Sequence, residues 1–127
     1  MNGKGYDEKK MVTIKTKPHQ KALDFAMNAL ERYEFVKEII LFGSCAREEQ
    51  QRESDVNLLV ICNRRLTSNE IVKIRGEVIC ANYRLPDVDV KFSYFINDYD
   101  NCIDEAMNAD IKRYGISLWK RDVSLTA

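Results

Sequence analysis

The apolar run Ile39-Ile40-Leu41-Phe42 is too short for a lone helix and is rich in β-branched side chains, which predicts a buried strand over about 37–42. It stops at Gly43-Ser44. A second strand follows at Ser54–Val60, where alternation puts Asp55 and Asn57 on one face and Val56, Leu58 and Val60 on the other. Upstream, beyond Pro18, the residues Ala22, Ala26, Ala29, Leu30 and Tyr33 recur at helical spacing, with Leu23 and Phe25 widening the stripe. That pattern predicts a first helix over about 18–34. Downstream, Thr67-Ser68-Asn69-Glu70 offers cap residues for a second helix, whose apolar face runs through Ile71, Ile74, Val78, Ile79 and Asn82 and ends before Leu85-Pro86. Asp87–Phe95 alternates as a third strand, with Val88, Val90, Phe92 and Tyr94 toward the core and Asp87, Asp89, Lys91 and Ser93 opposite. Ile103, Met107, Ile111 and Tyr114 mark a last helix closed by Gly115, and Ile116–Trp119 reads as a short terminal strand. At the other end, Met11–Lys15 alternates like a brief strand, and polar Met1–Lys10 reads as a mobile leader.

Helix, strand, strand, helix, strand, helix is the order of an α/β (α+β) sandwich, a small mixed sheet packed against helices. At 127 residues the chain is expected to be one domain. Twenty basic residues balance twenty acidic ones, so no bulk attraction to nucleic acid or membrane is implied. Cys45, Cys62, Cys80 and Cys102 are far apart and His19 is the only histidine, which argues against zinc and for free thiols in a cytoplasmic setting. No apolar run approaches the roughly 20 residues that span a bilayer.

The chemistry is concentrated between Val36 and Val60. Glycine at 43 lets a ligand approach the backbone, Ser44 is a favoured cap, and a short helix from about Cys45 would turn free N–H groups outward. Beside it, Asp55 and Asn57 present oxygen ligands for a hard cation. The pair suits a metal-bound polyphosphate. "GSCAR" and "SDVNLLV", in this order and spacing, resemble the nucleotidyltransferase superfamily and its minimal, MNT-type branch. The tail "ADIKRYGISLW" is similar to that branch's ending, so that the likeness runs over about residues 22–119.

The resemblance implies a polymerase-beta-like fold whose active site lies on one open edge of the sheet. It implies three acidic ligands for Mg²⁺ or Mn²⁺, of which Asp55 is the first and Asp89 the third, both catalytic. The middle position is Asn57, a neutral ligand, so reduced catalysis is expected. Gly43 and Ser44 would hold the triphosphate of ATP, and Arg47 would either stabilise the loop or reach a phosphate. Three functions follow: transfer of AMP to a protein or small-molecule hydroxyl or amine, an antitoxin-like role beside a small helical partner, or nucleotide sensing without turnover. Self-association is compatible with each. Lys91 could stand in for a missing cation, although an exposed ion pair is the commoner fate of such a lysine. Glu53 shares the alternation of 55 and 57 and is a substitute acid, while Cys45 reads as incidental.

Overall fold

The computed structural model describes residues 8–9, 12, 14, 16–51, 54–83, 90–96 and 105–121. In chain order these form β1 (Glu8–Lys9), α1 (Lys17–Leu30), β2 (Val36–Phe42), β3 (Val56–Cys62), α2 (Ser68–Tyr83), β4 (Val90–Ile96), α3 (Glu105–Tyr114) and β5 (Ile116–Lys120). The five strands make one mixed sheet in the order β1-β5-β2-β3-β4. β2 is antiparallel to both β3 and β5, whereas β3 and β4 are parallel and joined through α2. The expected mixed α+β sheet is therefore present, with β2, β3 and β4 adjacent in it.

Several positions differ from the sequence reading. Of Met11–Lys15 only residues 12 and 14 are described and neither is in a strand; a strand does occur at Glu8–Lys9, inside the stretch read as a leader, and pairs with Lys120 and Trp119 of β5. The expected terminal strand is present as β5, inside the sheet between β1 and β2. α1 ends at Leu30 rather than near 34, and Phe25, read as part of its buried stripe, is exposed. His19 and Met27 are buried in its place. Tyr114 is likewise exposed, at the end of α3. The expected Asp87–Asp89 portion of the third strand and Ile103 lie outside the described residues.

The sheet has two unequal covers. On one face Ala22, Leu23, Ala26, Met27 and Leu30 of α1, with Ile74 of α2, pack on Ile39, Leu41, Val56, Leu58 and Val60. On the other, Ile111 of α3 meets Ile40, Leu59 and Ile61, with Phe42 and Met107 beside them. This division follows from strand alternation: odd and even positions of β3 belong to different cores. Asn57 is two residues before Leu59, so it shares the face carrying α3, the less covered one.

Local hydrogen bonds explain where the elements stop. A β-bulge shifts the β2–β5 register between Ile39↔Trp119 and Ile40↔Ser117, which lets adjacent Leu118 and Trp119 enter the same core. Arg121 then caps the carbonyls of Val36, Tyr33 and Glu31 and stacks over Trp119 at 4.6 Å. Gly115 closes α3 by donating to the Ile111 carbonyl at 2.8 Å. A side chain at 115 would run into that same carbonyl, so close approach rather than a left-handed backbone requires glycine here.

At the start of α2 the expected capping box forms. Thr67 Oγ1 accepts from the Glu70 N–H at 3.2 Å and Glu70 Oε1 accepts from the Thr67 N–H at 2.9 Å. Arg64 grips the same carboxylate with both terminal nitrogens, at 2.9 and 2.7 Å. First Arg64, then the Thr67 N–H, hold the Glu70 carboxyl down from its ordinary 4.5 to about 2. The folded value is depressed, so the stabilisation is complete above the unfolded value and fades as pH falls toward the folded one. Wild type should therefore lose melting temperature faster than Glu70→Gln between pH 4.5 and 2, and the two curves should converge at the acid end. Melts across that window at low and high salt test it; parallel curves would refute the assignment.

Candidate functional site

The site begins where β2 runs out. Gly43 takes φ +80, a left-handed conformation that a side chain disfavours. An added Cβ would also sit 2.6 Å from Asn57 Nδ2, well inside contact distance. Both conditions arise from one register: the β2–β3 ladder pairs Phe42 with Asn57, so the next residue of β2 turns over the Asn57 side chain. Gly43-Ser44, just past β2, thus come to the same end of the sheet as Asn57 and the preceding Asp55; the strand expected from Ser54 begins only at Val56.

The expected short helix after Ser44 is a single turn. Ala46 and Arg47 N–H both donate to the Gly43 carbonyl at 3.1 Å. Glu48 N–H then donates to the Cys45 carbonyl, and Glu49 N–H to that of Ser44, across a left-handed Glu48 at φ 59. This is the Schellman closure of a helix that has just begun. One turn carries little macrodipole, so an anion here would depend on individual donors and on Arg47.

Those donors already face an anion. Asp110 of α3 accepts from the Gly43 N–H at 3.1 Å through Oδ2 and from Arg47 Nη1 at 2.5 Å through Oδ1. Arg47 Nε donates to Glu49 at 3.1 Å. The guanidinium is thus held by two carboxylates, and both partners raise its already high pKa. Of the alternatives open for Arg47, this structure has the loop-stabilising one.

Behind the strand, His19 of α1 is buried at 2% exposure. Its Nε2 donates to the Ser54 carbonyl at 2.8 Å, and Nδ1 accepts from the Thr16 hydroxyl at 2.7 Å. Thr16 consequently makes no side-chain cap on α1. The ring ties the first turn of α1 to the residue preceding Asp55, and a buried imidazole with both nitrogens engaged carries no desolvation debt. Cys45 is buried in the core, with Sγ 3.6 Å from the Asp55 carbonyl. Burial, and then the Asp55 charge, push its thiol up against a smaller opposing effect of Ser44. It is a poor nucleophile, as its incidental reading requires.

Of the expected site residues, Gly43, Ser44, Arg47, Asp55 and Asn57 lie at one end of β2 and β3, while Asp89 and Glu53 are outside the described residues. Position 91 is opposite Asn57 in the parallel β3–β4 register. Among the described residues no three His, Cys, Asp or Glu side chains gather as a metal centre. Asp55, just before β3, and Asn57, within it, carry one anionic and one neutral oxygen donor, types that suit part of the shell of one hard cation. Asp110 and His19 were missed. Spacing did contain a signal for His19, which precedes Ala22 and Ala26 by three and seven residues; Asp110 lies in the quoted tail "ADIKRYGISLW", but nothing in that tail shows which residues it meets.

Residues 26–123 match the family model described as "Polymerase beta, Nucleotidyltransferase". The structure is similar to a crystal structure described as a toxin-antitoxin with AMP-PNP, at TM-score 0.53 and 18% identity over 80% of this chain and 73% of that one. It is also similar to a structure of tri-AMPylated Shewanella oneidensis HEPN toxin in complex with MNT antitoxin, at TM-score 0.52 and 16% identity over 81% and 73% of the two chains. Identities this low show a common fold. No curated protein matches the chain.

The Gly43–Asn57 contact makes a two-part prediction. Gly43→Ala should destabilise the domain by about 2 kcal/mol, from a left-handed backbone plus a steric clash. Adding Asn57→Ala should recover the clash and leave the backbone part, giving a coupled double-mutant cycle in chemical denaturation. Strict additivity would mean that the two residues do not touch.

Proposed function

The chain belongs to the polymerase beta nucleotidyltransferase family, and from that premise we propose that it binds a metal-bound nucleoside triphosphate, ATP as the first candidate, with a weakened ability to transfer the nucleoside monophosphate. The observation that carries this reading is the meeting of Gly43-Ser44 with Asp55 and Asn57 across the Phe42↔Asn57 register. A turn with outward donors beside a strand with oxygen ligands recognises phosphate and cation together.

In this reading Ser44 and the Gly43 N–H hold phosphate oxygens. Arg47 reaches the same group once its carboxylate partners yield. Asp55 and the Asn57 amide oxygen would hold Mg²⁺ or Mn²⁺, with Asp89 supplying the further carboxylate. The ion would neutralise charge on the attacked phosphorus and on the pyrophosphate leaving group. Asn57 keeps an oxygen but not a charge, so a second cation has less to bind it, and a nucleophile is poorly activated. The preferred acceptor is a protein side chain, because the fold neighbours include complexes described as toxin with antitoxin. The second reading, an antitoxin-like protein acting through contact with a small helical partner, is favoured by the same Asn57.

Incubation with labelled ATP, Mg²⁺ or Mn²⁺ and candidate acceptor proteins tests transfer directly. Ser44→Ala should weaken Mg-ATP binding about tenfold, the loss of one charge-assisted hydrogen bond, with the melting temperature little changed. Absence of any Mg-ATP binding to the wild type at millimolar concentration would remove the nucleotide reading and leave the contact role.

Asn57→Asp makes the sharper test. The added carboxylate should tighten divalent-ion binding and raise transfer, at some cost in metal-free stability through repulsion with Asp55. Thermal melts with and without Mg²⁺ measure both effects. Unchanged metal affinity would place position 57 outside the cation site.

A further inference from the structure

Two of the donors that the proposed function assigns to phosphate, the Gly43 N–H and Arg47 Nη1, converge on the two oxygens of a single carboxylate from α3. That carboxylate is well placed to stay: Asp110 precedes Ile111, which is anchored in the core formed with Ile40, Leu59 and Ile61. We propose that Asp110 is a specificity-determining residue, an internal anion that a ligand must displace from the Gly43–Arg47 seat, so that the site admits metal-bound polyphosphate and rejects free phosphate. The inference rests on the proposed nucleotide site and adds how that site chooses among phosphates.

The selection follows from the exchange. A free phosphate entering the seat replaces one oxyanion with another at the same N–H and the same guanidinium. Its gain is close to nil, because both ligands make charge-assisted bonds of similar strength and Asp110 is already tethered there. Arg47 has no surplus charge to recruit a second anion, since Asp110 and Glu49 both hold it. A metal-bound polyphosphate adds something the carboxylate cannot match, cation coordination at Asp55 and Asn57, the latter in contact range of Gly43. Only a ligand bringing both phosphate and cation repays the displacement.

Asp110 is not itself arranged as a cation ligand, because each oxygen already accepts from a cationic or N–H donor. Nor is it a pure loop brace on this account. A brace and a competitor make opposite forecasts: removing a brace weakens anion binding, whereas removing a competitor strengthens it.

The test uses the full chain and inorganic probes: orthophosphate, and tripolyphosphate with and without Mg²⁺, followed by titration calorimetry. Asp110→Asn is nearly isosteric and keeps an oxygen for the Gly43 N–H; its fold is checked by melting, with Asp110→Ser as the second variant. Orthophosphate and metal-free tripolyphosphate should each bind about tenfold tighter to Asp110→Asn, the scale of one charge-assisted bond no longer opposed. Mg-tripolyphosphate, whose cation screens its phosphates from the displaced carboxylate and so lowers that opposition already, should gain less, and the preference for the metal-bound form narrows. Glu49→Gln removes the same unit of charge without opening the Gly43 N–H and should tighten these anions by clearly less than Asp110→Asn does.

Equal or weaker anion binding in both Asp110 variants would overturn the proposal, as would an equal gain in Glu49→Gln, which would reduce it to net charge. Silence of every protein toward tripolyphosphate at millimolar concentration also overturns it. The nucleotide reading fails separately. Mg-ATP binding to wild type with no Asp110 effect leaves that reading standing and this inference wrong. Tightened tripolyphosphate with no ATP binding leaves the seat and removes the nucleotide.

Discussion

The β2–β3 register is the constraint on which the site depends. Pairing Phe42 with Asn57 fixes which side of the sheet each residue of β3 faces, sends Asn57 to the side of α3, and brings the Gly43 backbone over its amide. A slip of one residue would exchange the faces of β3, driving Asn57 into the core held by α1 and turning Val56 outward. The slip is opposed on both sides at once, because Val56, Leu58 and Val60 fill one core while Leu59 and Ile61 fill the other. A strand buried on two faces has no cheap alternative register, and the chemistry at its start inherits that rigidity.

His19 and Arg121 serve the same constraint from outside the sheet. His19 pins the Ser54 carbonyl immediately before Asp55, with Thr16 completing the ring's hydrogen bonds. Arg121 gathers three carbonyls between the end of α1 and the start of β2. The two ties fix the opposite ends of the β2–β3 pair: one where β3 begins, one where β2 begins. Backbone carbonyls there would otherwise need water or a turn, and satisfying them with side chains keeps the connections short.

Much of this could be read from pattern alone. Alternation grouped Val56, Leu58 and Val60 on one face, where they share one core, and the Thr67–Glu70 capping box was visible as a spacing. Periodicity failed where a residue is apolar yet outward, as at Phe25 and Tyr114, since a stripe wider than the contact it makes looks the same in sequence. The position of β5 could not be read at all. Three apolar residues in four show that a strand exists, and only pairing shows whether its neighbours are one or two. Asp110 was hidden for a related reason: its partners Gly43 and Arg47 are 67 and 63 residues away, and a helical aspartate ordinarily faces water.

The charges gathered at the end of the sheet bear on what can bind there. Among the described side chains, Asp55, Glu49 and Asp110 stand there with one guanidinium, Arg47. Against these carboxylates, a polyphosphate arriving alone would meet charge of its own sign. An ion accompanying the polyphosphate reverses that balance, because it is attracted to Asp55 and screens the phosphates from Asp110. Asn57 then has two consequences of opposite sign. It lowers the pull on the cation, and it also lessens repulsion of the phosphates that follow. On the proposed nucleotide reading, a neutral side chain at this position would therefore remove more from catalysis, which needs cations held tightly, than from binding, which needs the phosphates tolerated.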